Sequence, residues 1–482
     1  MVETAIHSTS MPFTDVKWCT VALSDVIGAD KRLEAAVYDI DSREAARVAT
    51  QGKYPSCNLI GEGLGKRAYY GARLKRRYVP KTSPEAIGFI GSSEMLDINP
   101  VPVKYMNRNN PDAAALKLTE NVLLLSRSGT IGNLTMVNKT ISQLLVSEHA
   151  IRLECDSVPG YVYCYLNSQI GQTLIKSKVF GAVIQEIEPD HLTEIPIPDP
   201  PEEIKNNING LILRSFGLRD ESNDLLNKAS AMLIAELSLP PIHDFVTDEL
   251  NDNAGISSYS VKLSELAGRF DGSYHTPVVK AIINHLNIHA AEVTVVGDKR
   301  ISKSVVLPGR FKRVYVAQGQ GRAFIGGKQL FELDPSGKKY LSLAHHSARI
   351  KSQLELSENM TLITCSGTIG KVTLVPRHWE HWAASQHIIR IVPASEDISG
   401  YICVFLATDY GRELITRYTY GSVVDEIDDR HVSQIPFPLL KNTNAQSEIN
   451  SLALSANKLR YQAFTLEQEA MKIMYDEVLF PR

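Results

Sequence analysis

The chain has 482 residues, of which 44% are apolar and 22% charged, with a formal net charge of -3. That length supports two to four domains with cores of their own, and the composition is too apolar and too mixed for a disordered chain. The near-neutral balance excludes a uniformly basic, histone-like protein, but not a local basic face.

The first 13 residues are polar and lack the apolar stretch of a signal peptide. No run of about 18 apolar residues follows anywhere, so no transmembrane helix is expected. Six cysteines (Cys19, Cys57, Cys155, Cys164, Cys365, Cys403) are scattered without a C-x-x-C pair. They read as free thiols in a reducing compartment, and the expected location is the cytoplasm.

Residues 1–200 read as a first domain of mixed α and β structure. A basic segment comes early: Lys66, Arg67, Arg73, Lys75, Arg76 and Arg77 lie within 12 residues, interleaved with Tyr69, Tyr70 and Tyr78. Strands are expected at 121–126 and 134–137, flanking the tight turn Ser128-Gly129-Thr130-Ile131-Gly132. A helix is expected over 160–176. A second, long helix is expected over 201–237: Pro200-Pro201-Glu202-Glu203 is a start signal, with acids at the positive end of the helix dipole. It keeps a heptad-like register through Ile208, Leu211, Ser215, Leu218, Ser222, Leu225, Ala229 and Met232, weakened by Gly210 and Gly217. Residues 238–258 read as a linker.

A second domain, 259–440, repeats the first. Residues 356–391 align without a gap on 118–153 at an offset of 238, with 15 identities in 36 positions. Ser366-Gly367-Thr368-Ile369-Gly370 repeats the turn, and a helix is expected over 400–417. Phe180–Ile187 matches Tyr420–Ile427, and Ile195-Pro196-Ile197-Pro198 matches Ile435-Pro436-Phe437-Pro438. Arg310, Lys312, Arg313 and Tyr315 repeat the basic segment. The last segment, 441–482, has a cleaner seam: Ile449, Leu452, Ala456, Leu459, Ala463, Leu466, Ala470 and Ile473 alternate spacings of three and four. Each long helix is either a core-facing amphipathic helix or one strand of a coiled coil. Two at equivalent places favour pairing with each other, as a rod of roughly 45 Å.

No nucleotide-binding loop of the G-x-x-x-x-G-K-[ST] type and no strand–GxGxxG–helix unit is present. Asp199-Pro200-Pro201 is followed by Glu202, so it lacks the aromatic residue with which an amino-methyltransferase stacks its target base. His378-Trp379-Glu380-His381-Trp382 has histidines three apart, but Thr140 and Gln143 stand at the equivalent positions of the first copy. No metal is expected, and these read as surface histidines beside half-buried tryptophans. The alternative to a binding protein is a DNA-cleaving or hydrolytic enzyme using the repeated pairs His149 with Glu186 and His387 with Glu426. The basic pattern points the other way. A charge run is commonly a solvated face, yet the same R-x-K-R pattern recurs at the same place in both copies of a slightly acidic chain. Arginine forks bind phosphates or guanine edges, and tyrosines stack. The reading is a duplicated nucleic-acid contact.

Two half-chains each hold Ser-Gly-Thr-Ile-Gly, then Gly-Ala/Ser-Val-Ile/Val-x-Glu-Ile, then Ile-Pro-hydrophobic-Pro before a long helix. In that order, twice over, the motifs resemble the DNA-specificity (S) subunit of type I restriction-modification systems and the similar subunits of related phage-defence systems. The resemblance covers about residues 18–477. It implies an α+β chain in which two similar mixed target-recognition domains are separated by two long helices pairing as an antiparallel coiled coil. Each domain would read half of a split site on double-stranded DNA. The spacer, carried by Ile208, Leu211, Leu218, Leu225, Ile449, Leu452, Leu459, Leu466 and Ile473, would set the gap, with 45 Å spanning about 13 base pairs. It would also dock methyltransferase subunits, typically two. A restriction/translocase subunit or other defence proteins are the further partners implied. The resemblance implies no catalysis and no cofactor in this chain, with S-adenosylmethionine on the methyltransferase. Ser128, Thr130, Ser366 and Thr368 match the motif positions. Base reading is expected where the copies differ, at 97–117 and 331–355, and in the basic loops.

Overall fold

The computed structural model describes residues 20–28, 35–61, 64–71, 75–181, 185–245, 251–253, 256–266, 268–335 and 338–481. The chain divides into two compact units, Met1–Gly217 with Thr465–Arg482, and Leu218–Phe464. The divisions therefore fall inside the long helices.

The first unit holds a four-stranded antiparallel sheet ordered Gly65–Tyr69, Ala150–Cys155, Leu123–Ser126, Leu134–Met136. A second four-stranded sheet runs Tyr78–Val79, Lys104–Asn107, Ala86–Ile90, Leu145–Val146, with only the last pair parallel. A short ladder pairs Ser56–Asn58 with Pro196–Pro198. The second unit repeats this order in every sheet. Its first sheet is Ser302–Val306, Ile388–Pro393, Thr361–Thr364, Val372–Leu374. Its second is Tyr315–Val316, Lys339–Ser342, Gly321–Ile325, Ala383–Ala384, again with the last pair parallel. Its ladder pairs Glu292–Val295 with Pro436–Leu439. The duplication read in the sequence is thus a duplication of topology.

The local chemistry repeats too. Leu123–Ser126 and Thr361–Thr364 are buried along their whole length, as central strands covered on both faces must be. Both enter from an asparagine in the left-handed region, Asn121 at φ 70 and Asn359 at φ 65, a conformation asparagine tolerates better than most residues. Both leave through the Ser-Gly-Thr-Ile-Gly turn. Gly129 and Gly132 stand at φ 78 and 91, and Gly367 and Gly370 at φ 73 and 81. A Cβ at Gly129 or Gly367 would meet nothing within 4 Å, so it is backbone conformation and not crowding that demands glycine.

The single helices expected over 160–176 and 400–417 are each two helices. The observed spans are Pro159–Asn167 and Gln169–Ser177, and Glu396–Ala407 and Asp409–Thr416. Between them, Ser168 and Thr408 accept hydrogen bonds from the amides of Gly171 (3.1 Å) and Gly411 (3.0 Å). These hydroxyls cap a new helix and so end the old one. The Ser/Thr-x-x-Gly spacing was the sequence signal for the break.

The first long helix spans Glu202–Glu236 and the second Thr443–Ile473. At 1.5 Å per residue they are about 52 and 46 Å long. Gly210 and Gly217 do not interrupt the first. In the first unit, Ile208, Ile212 and Phe216 share a core with Leu125, Ile151, Tyr161, Ala470, Met474 and Val478. In the second, Ala229, Leu233 and Leu237 share one with Ile282, Ile402, Phe437, Ile449 and Ala453. Both helices contribute to both cores, so each buries a face broader than a seam. Within the second unit the two helices touch: Arg460 Nε donates to Ser222 Oγ at 3.2 Å, Lys228 pairs with Glu448 at 3.3 Å, and Asn442 donates to Glu236 at 3.2 Å. Of the expected seam, Ile208, Leu218, Ile449, Ala456, Ala463 and Ala470 are buried. Leu211, Leu225, Leu452, Leu459, Leu466 and Ile473 are half-buried.

An asparagine at an equivalent place fastens each long helix to its unit. Gly160 N donates to Asn209 Oδ1 and Gly400 N to Asn450 Oδ1, both at 2.8 Å. A Cβ at Gly160 would lie 2.8 Å from the Asn209 carbonyl oxygen, and one at Gly400 2.5 Å from that of Asn450. Tyr161 and Tyr401 finish the junction, donating to the carbonyls of Pro198 (2.7 Å) and Pro438 (2.9 Å).

Part of the expected linker is packed. Leu239 and Phe245 are buried, and Phe245 meets Tyr410 edge-on at 6.1 Å. Among the described residues, no helix is long and apolar enough to cross a membrane. The thiols of Cys155, Cys365 and Cys403 are pushed up to about 12 by burial, which keeps them protonated.

Candidate nucleic-acid interface

The basic segment of the first unit lies on the edge strand of one sheet and just before the edge strand of the other. Lys66 and Arg67 stand exposed on Gly65–Tyr69. Arg67 grips both oxygens of Glu154, at 2.6 and 2.8 Å, and Tyr69 donates to the same carboxylate at 2.9 Å. Arg67 is the main cause holding the Glu154 carboxyl below its usual range. Arg73 lies outside the described residues. Lys75 and Arg77 are exposed. Tyr78, on the edge strand Tyr78–Val79, tilts against Phe89 at 6.1 Å, with Lys104 Nζ 5.3 Å above its ring. Arg76 lies over the other ring of that pair, Phe89, at 5.1 Å.

The second unit builds the same stack. Arg313 lies over Phe324 at 5.4 Å, Tyr315 tilts against Phe324 at 6.1 Å, and Lys339 sits 5.3 Å above Tyr315. Strand pairing explains the geometry. Tyr78–Val79 hydrogen-bonds to the strand Lys104–Asn107, and Tyr315–Val316 to Lys339–Ser342. In both units the strand that follows the basic residues therefore lies beside the segment that differs between the copies. Lys104 and Lys339 come from those segments, and sequence reasoning singled out neither. Lys312 is exposed, and Arg310 is 80% exposed with Glu426 at 3.3 Å.

The Ser-Gly-Thr-Ile-Gly turns sit beside the other repeated motif. Ser128 bridges to Glu186 and Ser366 to Glu426. Gly367 N also donates to the Asp425 carbonyl at 3.2 Å. Thr130 and Thr368 are exposed at the turn tips, and Ser128 Oγ is 3.3 Å from His149 Nδ1.

The two units part company in the charges around these turns. In the first, buried Arg127 pairs with Glu186 at 2.9 Å and Glu188 at 2.6 Å, beneath the Tyr70 ring at 4.9 Å. The equivalent of Arg127 in the second unit is Cys365. Arg76 contacts both oxygens of Glu148, at 2.8 and 2.9 Å, and Ser147 Oγ at 3.4 Å. Burial works to raise the Glu148 carboxyl. Its backbone hydrogen bond and Arg76 outweigh that and hold it low. The equivalent of Glu148 is Gln386. These carboxylate partners were missed in the sequence, although Glu148 and Glu186 both stand in the repeated motifs.

One buried cation is common to both units. Arg152, on the strand next to the basic edge, donates to the carbonyls of Ala115 (2.9 Å), Val146 (3.2 Å) and Leu116 (3.5 Å). Its equivalent Arg390 donates to Ile388 (2.8 Å), Leu354 (3.3 Å) and Ala384. Leu116 and Leu354 end the two variable segments, so the arginine ties each segment to the repeated sheet. Burial pulls the Arg390 guanidinium down to about 9, and carbonyl oxygens rather than a carboxylate stabilise its charge.

The histidines expected at the surface are not alike. His381 is exposed, with Glu355 at 3.0 Å. His378 stacks on Phe464 with centroids 4.0 Å apart and planes 7° apart, beside the buried Trp379. Its Nε2 donates to the Leu333 carbonyl at 2.8 Å, and its Nδ1 is buried without a partner. Burial pushes it down to about 4, so it is a neutral packing residue. Among the described residues no group of three or more His, Cys, Asp or Glu gathers as a metal site.

No protein-family model matches this sequence, and no curated protein matches it significantly. Solved structures do. The type I restriction-modification S subunit of M. genitalium is similar at 13% identity and a TM-score of 0.31, covering 89% of this chain and 96% of that one. The HsdS subunit of Thermoanaerobacter tengcongensis is similar at 12% identity and a TM-score of 0.26, covering 89% and 98%. A chain from a structural study of complex assembly and conformational transition in the type I R-M system is similar at 12% identity and 0.27, covering 86% and 98%.

Proposed function

We propose that this chain is the sequence-specificity subunit of a DNA-modifying complex, of the type I restriction-modification kind or a related phage-defence kind. The observation that carries the reading is the duplicated stack. Two units of one strand order each set an arginine, an aromatic ring, a tyrosine and a lysine against a segment that differs between them. The cations of this frame that no carboxylate closes suit the DNA backbone, which is the same everywhere, and a variable strand beside them suits the bases, which are not. One unit would read each half of a bipartite double-stranded site.

The two long helices are read as an antiparallel coiled-coil spacer. Residues 222, 228 and 236 of the first meet 460, 448 and 442 of the second, so one runs down as the other runs up. The spacer would fix the gap between half-sites and dock methyltransferase subunits, typically two, which bring S-adenosylmethionine. A translocating nuclease or another defence protein would join them in the cytoplasm. The chain would supply the address and the scaffold, and the partners the chemistry.

Methylome sequencing of cells with and without the gene tests this. A modified motif of two short blocks separated by a fixed gap should vanish on deletion. If no such motif is lost, the reading is wrong. Purified chain with Mg²⁺ and DNA should cut nothing.

A further inference from the structure

The repeated arginine of the stack meets different chemistry in the two units, although its surroundings are the same. Ser147 N donates to the Ile90 carbonyl and Ser385 N to that of Ile325, both at 3.0 Å. His149 N and His387 N then donate to Ser147 Oγ and Ser385 Oγ, both at 3.2 Å. Residues 148 and 386 thus occupy one backbone setting twice. In the first unit the side chain there is a carboxylate, 11% exposed, that also accepts from Ser147 Oγ at 3.3 Å and closes on Arg76. In the second it is a neutral amide. Arg313 keeps its ring contact and, among the described residues, has no carboxylate within ion-pair distance.

We infer that residue 148/386 decides whether this arginine grips a DNA phosphate. Glu148 withholds Arg76 in the first unit, and Gln386 leaves Arg313 open to the backbone in the second. The inference rests on the DNA-binding reading above. A phosphate reaching Arg76 would have to displace a buried carboxylate already held at hydrogen-bond distance. A phosphate reaching Arg313 would have no carboxylate to displace.

The test uses the full-length chain and a fluorescent duplex of random sequence, because phosphates are shared by all sequences. Affinity is measured by anisotropy between about 50 and 200 mM KCl, where each phosphate contact contributes about 0.9 to the slope of log K against log salt. Glu148→Gln should raise the wild-type slope by about 0.9 and tighten low-salt binding roughly threefold. Gln386→Glu and Arg313→Ala should each lower it by about as much, and Arg76→Ala should leave it unchanged. The two exchanges are near-isosteric, and each installs a residue that the other unit already accommodates. If Glu148→Gln keeps the wild-type slope, or Arg76→Ala lowers it as much as Arg313→Ala does, the inference is overturned. Wild-type chain that binds no duplex even at low salt would sink the DNA reading and this inference together.

Discussion

In the first unit the stacked arginine is closed by Glu148, and a second arginine, Arg127, is buried between Glu186 and Glu188. In the second unit Gln386 and Cys365 stand at those places, and Glu426 is left to an exposed Arg310. Beneath this difference the two units agree on strand order, on the left-handed glycines of the turn, on the glycine–asparagine fastening of the long helix, and on one buried arginine. What has been held constant is what burial and backbone geometry dictate. What has diverged is the set of carboxylates that decide which surface cations are free. On the proposed reading, divergence of that kind would alter what the surface binds without disturbing the frame that presents it.

If the frame is common, removing its shared cation should damage both units alike. Arg390→Met and Arg152→Met each strand buried carbonyls at the end of the variable segment and should each destabilise by about 3 kcal/mol or more. Hydrogen exchange should show the loss in the altered unit, reaching 331–355 or 97–117 respectively. A loss in one unit only, when both variants are compared, would break that symmetry.

Acid should separate the units. His378 has Thr140 as its counterpart, so only the second unit carries this buried imidazole. Its folded value, about 4, lies below the ordinary 6.5. The unfolded chain therefore binds the proton first, and stability is full above pH 6.5 and falls as pH drops toward 4. The loss should be about 3 kcal/mol, seen as denaturant-induced unfolding followed by the fluorescence of Trp379. His378→Phe keeps the stack on Phe464 and should flatten that dependence.

Two kinds of glycine serve the long helices. Gly400→Ala drives a methyl against the Asn450 carbonyl and should destabilise by about 2 kcal/mol. A Cβ at Gly210 would meet nothing within 4 Å. Gly210→Ala should therefore stabilise by about 0.5–1 kcal/mol in thermal melts, through helix propensity alone.

The repeat, the turns and the long helices were legible because their signals are local: positive-φ glycines, Pro-Glu starts, three-four spacing. The break at Ser168 and Thr408 was missed, although the cap residue and the glycine three positions on are a local signal for it. The pairing of Arg76 with Glu148 was not legible, because the partners are 72 residues apart and only strand topology brings them together. For the same reason the basic run looked like one surface, whereas Arg67 and Arg76 are each spoken for by a carboxylate. Lys104 and Lys339 were invisible because a lone lysine in a variable stretch carries no pattern until its strand pairs with the tyrosine strand. His378 looked solvent-facing in a polar run, and the aromatic face of the second long helix covers it.

If each unit reads its own half of a split DNA site, damage to one reading strand should touch one half only. The most direct measurement is methylome sequencing of cells whose only copy of this chain carries Asn107→Ala, on the variable strand of the first unit and outside the shared stack. One block of the modified motif should relax while the other block and the gap stay as in wild type. If both blocks change together, or if neither changes while the altered chain is still assembled, the division of reading between the units is contradicted.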